Sequence, residues 1–230
     1  MKLNAKKLFV ISTVTALTAC GGGGGSAVAT GPVASTNTFN LKSAYVALTS
    51  AGWSKIFTIS GTCTGTISIA SGAINASTTF ETQPALSGTS VVTTTFSNCT
   101  PATSTTTETK YTDSNYMTVG YSISGGDYAV YASPLTLPNS VKVGDSAVVG
   151  TINRYTNSTK STSVGTQVDS FVVEADTATT AIINAISRFY DASNVLQTTE
   201  QDRYRIDANN VLTPISMDIA TASGTHFIGK

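Results

Sequence analysis

The stretch TQVDSFVVEADTATTAIINAISRFYDASNVLQTTEQDRYRIDANNVLTPISMDIA, residues 166–220, decides the fold. Four blocks of similar length, each rich in the β-branched and aromatic residues that favour strands, occupy residues 167–173, 179–190, 195–206 and 211–219. Short segments containing Asp or Asn, which are typical of turns, separate the blocks. The pattern predicts an antiparallel meander over this part of the chain.

The same pattern continues upstream in shorter runs. Ser and Thr account for 68 of the 230 residues, and together with Val, Ile and Tyr they favour strands over helices. Gly125-Gly126-Asp127 is a good hairpin turn between two of these runs. We therefore predict an all-β fold, a largely antiparallel meander of about ten to twelve strands that forms a curved sheet, a half-barrel or a sandwich.

Three segments upstream depart from this pattern. Residues 41–50 fit either a helical turn or a first strand, and their periodicity does not decide between the two. Residues 100–109 are a low-complexity Ser/Thr run, for which we predict an exposed loop. Pro134 and Pro138 remove backbone donors, so residues 134–140 are predicted to be a loop or a boundary between two halves.

The N-terminus has the order of features found in an export signal. Lys2, Lys6 and Lys7 form a positive region, and residues 8–16 form an apolar run too short to span a bilayer, which takes about 20 residues. The run ends in Leu17-Thr18-Ala19-Cys20. This ending resembles the lipobox of bacterial lipoproteins, in which a peptidase cuts before a cysteine whose sulfur has been diacylated.

The resemblance implies a membrane anchor at Cys20. In that family the mature cysteine carries three acyl chains, which hold a protein firmly where one chain alone would not. Gly21 follows the cysteine, where an aspartate often signals retention in the inner membrane, so we expect the outer membrane of a Gram-negative cell envelope. The predicted domains are a signal peptide over 1–19, a flexible tether over 20–40 and a β-rich domain over 41–230.

The charge balance argues against nucleic acid as a partner. Loss of residues 1–19 would leave 10 basic and 13 acidic side chains, a net charge near −3, and no basic cluster remains. Cys63 and Cys99 would then form an even pair in an oxidising compartment, and we predict a disulfide between them.

The best acid–base candidates lie in the segment EQDRYR, residues 200–205. Strand alternation places Glu200, Asp202 and Tyr204 on one face, with the two carboxylates about 7 Å apart. Two carboxylates at this spacing suit a glycosidase, whereas a solvated face with cross-strand ion pairs is the simpler alternative. We predict no catalytic residues, and a hydrolase of envelope glycans stays an alternative.

A group of tyrosines offers a possible binding face. Tyr111, Asp113, Tyr116 and Tyr121 lie close together in the sequence, and tyrosine combines a flat apolar ring with a hydroxyl suited to sugars or peptides. The single histidine, His226, has no second histidine for a metal site, and we predict no metal and no cofactor.

These observations favour a non-catalytic envelope lipoprotein. We expect it to contact the membrane through its lipid anchor and to bind an envelope protein, a glycan or a lipid, but no nucleic acid. A carrier of lipid or another hydrophobic ligand is a further alternative, because residues 168–173 and 182–186 would place apolar side chains on both faces of their strands.

Overall fold

The computed structural model describes residues 31–230, so the predicted signal peptide and Cys20 lie outside the described residues. That part of the chain contains one helix and thirteen strands. Their bounds are α1 Leu41–Ala51, β1 Trp53–Gly61, β2 Gly65–Ser71, β3 Ala76–Phe80, β4 Gln83–Phe96, β5 Thr103–Thr112, β6 Thr118–Ile123, β7 Tyr128–Tyr131, β8 Ser146–Tyr155, β9 Ser163–Ala175, β10 Ala181–Tyr190, β11 Leu196–Ile206, β12 Leu212–Thr221 and β13 His226–Gly229.

The strands form one antiparallel sheet that closes on itself. From β4 to β13 each strand pairs with the next, β13 pairs with β1, and β1 pairs with β2. β2 also pairs with β4, which closes a barrel of twelve strands and leaves β3 on the outside. The predicted all-β antiparallel meander is confirmed, and the sheet closes completely instead of stopping at a half-barrel.

The length of β4 makes the closure possible. Its first half pairs with β3, as in Ala76 with Ser87, and its second half pairs with β2, as in Gly65 with Phe96. At Gly65 a Cβ atom would lie 2.0 Å from the carbonyl oxygen of Thr95. Only glycine allows the two strands to approach this closely at the seam.

The undecided segment at 41–50 is helical. The Asn40 side chain caps α1 by accepting a hydrogen bond from the backbone N–H of Ser43 at 3.0 Å. The helix ends at Ala51 and is capped by Gly52, which has a φ of 72° and whose N–H donates to Leu48 O at 3.0 Å. Leu41, which is buried, and Leu48 pack against the hydrophobic core at one end of the barrel.

The Thr-rich run at 100–109 is a strand for most of its length, so the loop prediction is wrong there. Residues 103–112 form β5, which pairs with both β4 and β6. The backbone N–H and C=O groups of a Thr-rich run can be hydrogen-bonded as well in a sheet as in a loop. The hydrogen bonds offered by the two neighbouring strands decide the outcome, and the low-complexity composition does not show them.

The domain boundaries also differ from those predicted. Residues 32–230 form one compact unit without a division near 134–140, because Leu135 and Val141 belong to the core. The folded domain starts before residue 41: Val33 forms a β-bridge with Asp176, and Phe39 is only 1% exposed. The tether prediction is therefore wrong for residues 33–40, and its earlier part, residues 20–30, lies outside the described residues.

The predicted disulfide between Cys63 and Cys99 is present, with the two Cα atoms 5.7 Å apart. It joins the turn after β1 to the segment after β4, beside the seam between β2 and β4. In residues 31–230 no helix is both long enough and apolar enough to cross a bilayer.

Candidate functional site

The side chains of β11 alternate across the barrel wall as the sequence predicts. Glu200, Asp202 and Tyr204 face inward and border an interior cavity of about 480 Å³. On the outer face, Arg203 donates to Glu174 at 3.3 Å and Arg205 forms an ion pair with Asp176. The acidic positions of β11 therefore belong to the cavity, and its arginines belong to the outer wall.

The charged groups of the cavity come from two strands that face each other. Glu108 and Lys110 of β5 face Glu200 and Asp202 of β11 across the interior. Within residues 31–230 none of these four side chains forms an ion pair or a hydrogen bond with another residue, and all four are half-buried. Their polar atoms therefore face the cavity without a partner from its walls.

Burial perturbs the titration of both β11 carboxyls. Desolvation, followed by the negative charge of Asp202, raises the pKa of Glu200 to about 8. Desolvation also raises the pKa of Asp202 to about 6, although the ammonium of Lys110 opposes the shift. The pair thus keeps a proton near neutral pH, mainly on Glu200, which lowers the cost of enclosing the two carboxyls together.

Lys110 responds in the opposite sense to its surroundings. Burial alone would lower the pKa of its ammonium group, but Tyr45 and the carboxylates of Glu108, Asp169 and Asp202 together raise it. The lysine therefore stays charged inside the barrel. It is the cation around which the acidic side chains are arranged.

A separate buried network fixes Asp169 on β9. Its carboxylate accepts hydrogen bonds from Tyr131 Oη, from Gln167 Nε2 at 2.8 Å and from Ser187 Oγ at 2.8 Å. Gln167 Oε1 in turn accepts from Tyr121 Oη at 2.9 Å. Burial and the neighbouring Asp169 raise the pKa of the Tyr131 hydroxyl, which keeps it a donor. Asp169 is satisfied internally and therefore serves as a rigid part of the wall.

Another part of the cavity wall is apolar. Phe57 of β1, Ile67 of β2 and Met217 of β12 form a buried cluster, and Phe57 reaches the cavity itself. Trp53 also borders the cavity and meets the ring of Tyr204 edge to face, with 6.4 Å between the ring centroids. The interior thus combines charged groups on β5 and β11 with an apolar, aromatic surface that includes Tyr204 of β11.

A surface depression lies at the end of the barrel away from α1. It is lined by residues at the C-terminal ends of β8 and β10 and the N-terminal end of β11. Arg154 forms an ion pair with Asp127 there, and its guanidinium group lies 5.1 Å from the ring centroid of Phe189. Phe189 and Glu200 border both the depression and the interior cavity.

The predicted tyrosine face is divided by the sheet. Tyr111 lies on the outer surface, where its ring stacks on Phe80 of β3 at a centroid distance of 4.3 Å. Tyr121 pairs with Lys110 in the ladder and points to the interior. The structure therefore places Tyr111 and Tyr121 on opposite sides of the barrel wall.

Asp113 and Tyr116 lie in the turn between β5 and β6. Asp113 Oδ1 accepts hydrogen bonds from the backbone N–H groups of Asn115 at 2.8 Å and Met117 at 2.9 Å. Tyr116 has a φ of 63° in the same turn. The aspartate is thus engaged in shaping the turn.

The sequence did not point to Glu108, Lys110 or Asp169 as site residues. Glu108 falls at the end of the run 100–109, whose composition suggested a loop, Lys110 comes directly after that run, and Asp169 is a lone acid in an apolar strand. A sequence feature that could have pointed to Glu108 and Lys110 is their spacing, because two charged residues two positions apart share one face of a strand. Which strand faces them across a barrel is not encoded in that spacing.

In residues 31–230 no group of three His, Cys, Asp or Glu side chains is placed to hold a metal ion. His226 is exposed, and its Nε2 lies 2.9 Å from Asp218 Oδ1 on the outer wall.

No protein-family model, curated protein or solved structure matches the chain. The site is therefore interpreted from its own chemistry.

Proposed function

We propose that the chain is a lipid-anchored protein of the cell envelope that binds a small ligand inside its barrel without catalysing a reaction. The observation that carries the binding role is the interior cavity of about 480 Å³, which is bordered by charged side chains without partners. This volume lies within the range of ordinary small-molecule sites. The lipobox-like stretch at Leu17-Thr18-Ala19-Cys20 supports the anchor and the envelope location.

The lining favours a ligand that has both polar and apolar parts. A purely hydrocarbon ligand would leave Glu108, Lys110 and the two carboxyls of β11 desolvated beside it, at a cost of a few kcal/mol for each unpaired group. The apolar side formed around Phe57 suits only part of the ligand. The alternative of a lipid carrier therefore requires a lipid whose headgroup enters the cavity.

Native mass spectrometry tests the binding role directly. We expect the full chain, purified from envelope membranes, to carry a small molecule that dissociates on unfolding. Ala185→Leu, which adds bulk to a cavity-lining position on β10, is expected to reduce the bound fraction severalfold. Ala220→Leu on the exposed face of β12 is the matched control. An empty wild-type protein would contradict the proposed binding role.

The anchor is tested at Cys20. Membrane fractionation should find the wild-type chain in the membrane, with an intact mass that shows loss of residues 1–19 and three added acyl chains. Cys20→Ala should abolish the acyl mass and move most of the protein to the soluble fraction, whereas Ser26→Ala should change neither result. A membrane-bound Cys20→Ala protein without acyl chains would contradict the proposed anchor.

A carboxylate-based hydrolase is the second candidate, favoured by the two β11 carboxyls with raised pKa values in one cavity. Their spacing of about 7 Å along the strand falls in the range of inverting glycosidases, in which one carboxyl donates a proton and the other activates water. Release of sugars from envelope glycans by the wild type but not by Glu200→Gln would favour catalysis over binding.

A further inference from the structure

We propose that the ligand of the interior cavity is a small organic cation, an amine attached to an apolar or aromatic body. This inference rests on the proposed binding function and specifies its ligand class. It follows from the imbalance of charge inside the cavity, from the aromatic surface near the β11 carboxyls and from the position of the surface depression.

The charge imbalance comes first. Four carboxyl groups face the interior, from Glu108 on β5, Asp169 on β9 and Glu200 and Asp202 on β11. The cation among them is Lys110, while the ammonium of Lys55 is held by the carbonyl oxygen of Pro214 at 3.0 Å. Arg203 also borders the cavity, but its guanidinium is paired with Glu174 on the outer wall. With both lysines charged and a proton on Glu200, the other three carboxylates still leave one negative charge in excess, so an added positive charge is favoured over an added negative one.

The carboxyls that lack partners determine where that charge would lie. Asp169 already accepts three hydrogen bonds from its own wall, so it has little capacity left for a ligand. Glu200 and Asp202 accept no hydrogen bond within the described part of the chain, and both point into the cavity. An ammonium group between these two carboxyls would gain charge-assisted hydrogen bonds that the folded chain does not supply.

The aromatic surface then favours a particular kind of amine. Trp53, Phe57 and Tyr204 border the cavity, and aromatic surfaces bury apolar bodies. The ring of Phe57 already has the ammonium of Lys55 5.4 Å from its centroid, so Trp53 and Tyr204 are the rings left to attract the cation of a ligand. A polyamine without an apolar body would leave this surface uncovered. An amino acid would add a carboxylate to an interior that already has an excess of acid. An arylalkylamine suits both the carboxyls and the aromatic surface.

The depression at the end of the barrel away from α1 provides the route of access. Phe189 and Glu200 border both the depression and the cavity, so a ligand that passes Phe189 meets the Glu200 carboxyl first. Arg154 is paired with Asp127 at this end and therefore presents little free positive charge to repel a cation. The entrance therefore does not repel a positively charged ligand on its way to the β11 carboxyls.

The single tryptophan of the chain makes the test direct. Because Trp53 borders the cavity, its fluorescence reports occupancy. The full chain is titrated with 2-phenylethylamine, 2-phenylethanol and 3-phenylpropionate, which share an aromatic body and differ in charge. We expect saturable binding of the amine, at least about tenfold tighter than the alcohol, and the weakest binding for the carboxylate.

The effects of substitutions and of pH on amine affinity test whether the amine binds at the β11 carboxyls. Glu200→Gln with Asp202→Asn should weaken amine binding at least about tenfold and leave alcohol binding unchanged, while Asp218→Asn on the outer wall serves as the control. Amine affinity should rise between about pH 6 and pH 8, as these two carboxyls ionise. Calorimetry in buffers with different ionisation enthalpies should show that the protein releases protons when the amine binds near pH 7.

Three results would overturn the inference and leave the proposed function intact. The first is equal or tighter binding of the alcohol or the carboxylate. The second is a neutral or anionic molecule co-purified with the protein from envelope membranes. The third is failure of all three probes to bind, because the cavity should accept the simplest arylalkylamine. An empty protein from the envelope would instead count against the proposed function itself.

Discussion

The free energy of unfolding of the wild-type protein should fall as the pH rises from about 5 to about 9, and Glu200→Gln should remove much of this fall. The pKa of Glu200 is raised by burial to about 8 in the folded protein, whereas the unfolded chain has its ordinary value of 4.5. Above the unfolded pKa the folded state holds more protons than the unfolded state. Stability is therefore lost as the pH rises and stops falling above the folded pKa.

The size of the effect follows from the shift. A change from 4.5 to about 8 corresponds to a loss of up to about 5 kcal/mol at high pH, since each pKa unit is worth about 1.4 kcal/mol. For a domain of this length, Glu200→Gln should raise Tm at pH 9 by up to roughly 10 to 20 °C and change it little at pH 5. Thermal unfolding followed by circular dichroism at both pH values measures the difference.

Two comparisons make this result specific. Glu174→Gln, at the outer wall beside Arg203, should show no such gain at high pH. Asp202→Asn should show a smaller gain than Glu200→Gln, because the pKa of Asp202 is raised only to about 6. Equal effects of Glu200→Gln at pH 5 and pH 9 would mean that this carboxyl is not enclosed as described.

Replacement of both Cys63 and Cys99 by serine should destabilise the protein by about 4 kcal/mol. The disulfide links residues 36 apart in the sequence, and closure of a loop of this length removes conformational freedom mainly from the unfolded chain. The bridge also lies beside the seam where β2 pairs with β4. Local opening of the barrel should therefore begin at this seam once the bridge is absent.

Urea denaturation of the two proteins gives the change in stability, and hydrogen exchange locates the opening. The double variant should show faster exchange in β2 and in the second half of β4, while β9 to β11 stay protected. A reducing agent should destabilise the wild type by a similar amount and leave the double variant unchanged. Equal stability of wild type and variant under oxidising conditions would contradict this prediction.

Much of the fold follows from local patterns in the chain. The blocks between residues 167 and 219 alternate and end in Asp or Asn turns, and β9 to β12 occupy nearly the predicted positions. Local chemistry is enough here because adjacent strands joined by short turns pair with each other. The Thr-rich β5 was missed for the opposite reason, since its composition does not distinguish a paired strand from a loop.

The site follows the same division. Alternation along β11 places Glu200 and Asp202 together on one face, and the structure confirms this arrangement. The sequence does not show whether that face meets solvent or the interior of a barrel, and solvent exposure was the simpler expectation. Nor does it show that Tyr111 and Tyr121, close in sequence, lie on opposite sides of the wall.

By itself, then, the sequence determined an antiparallel all-β chain, because this depends on strand propensity. It also determined the pairing of Cys63 with Cys99, which depends on the number of cysteines. The two-residue period of a strand determined which β11 side chains share a face. The tertiary structure decided that the sheet closes through β2 and β4 and that Glu108 and Lys110 face the carboxyls of β11 across one cavity. Those features depend on contacts between strands far apart in the chain, which no local pattern encodes.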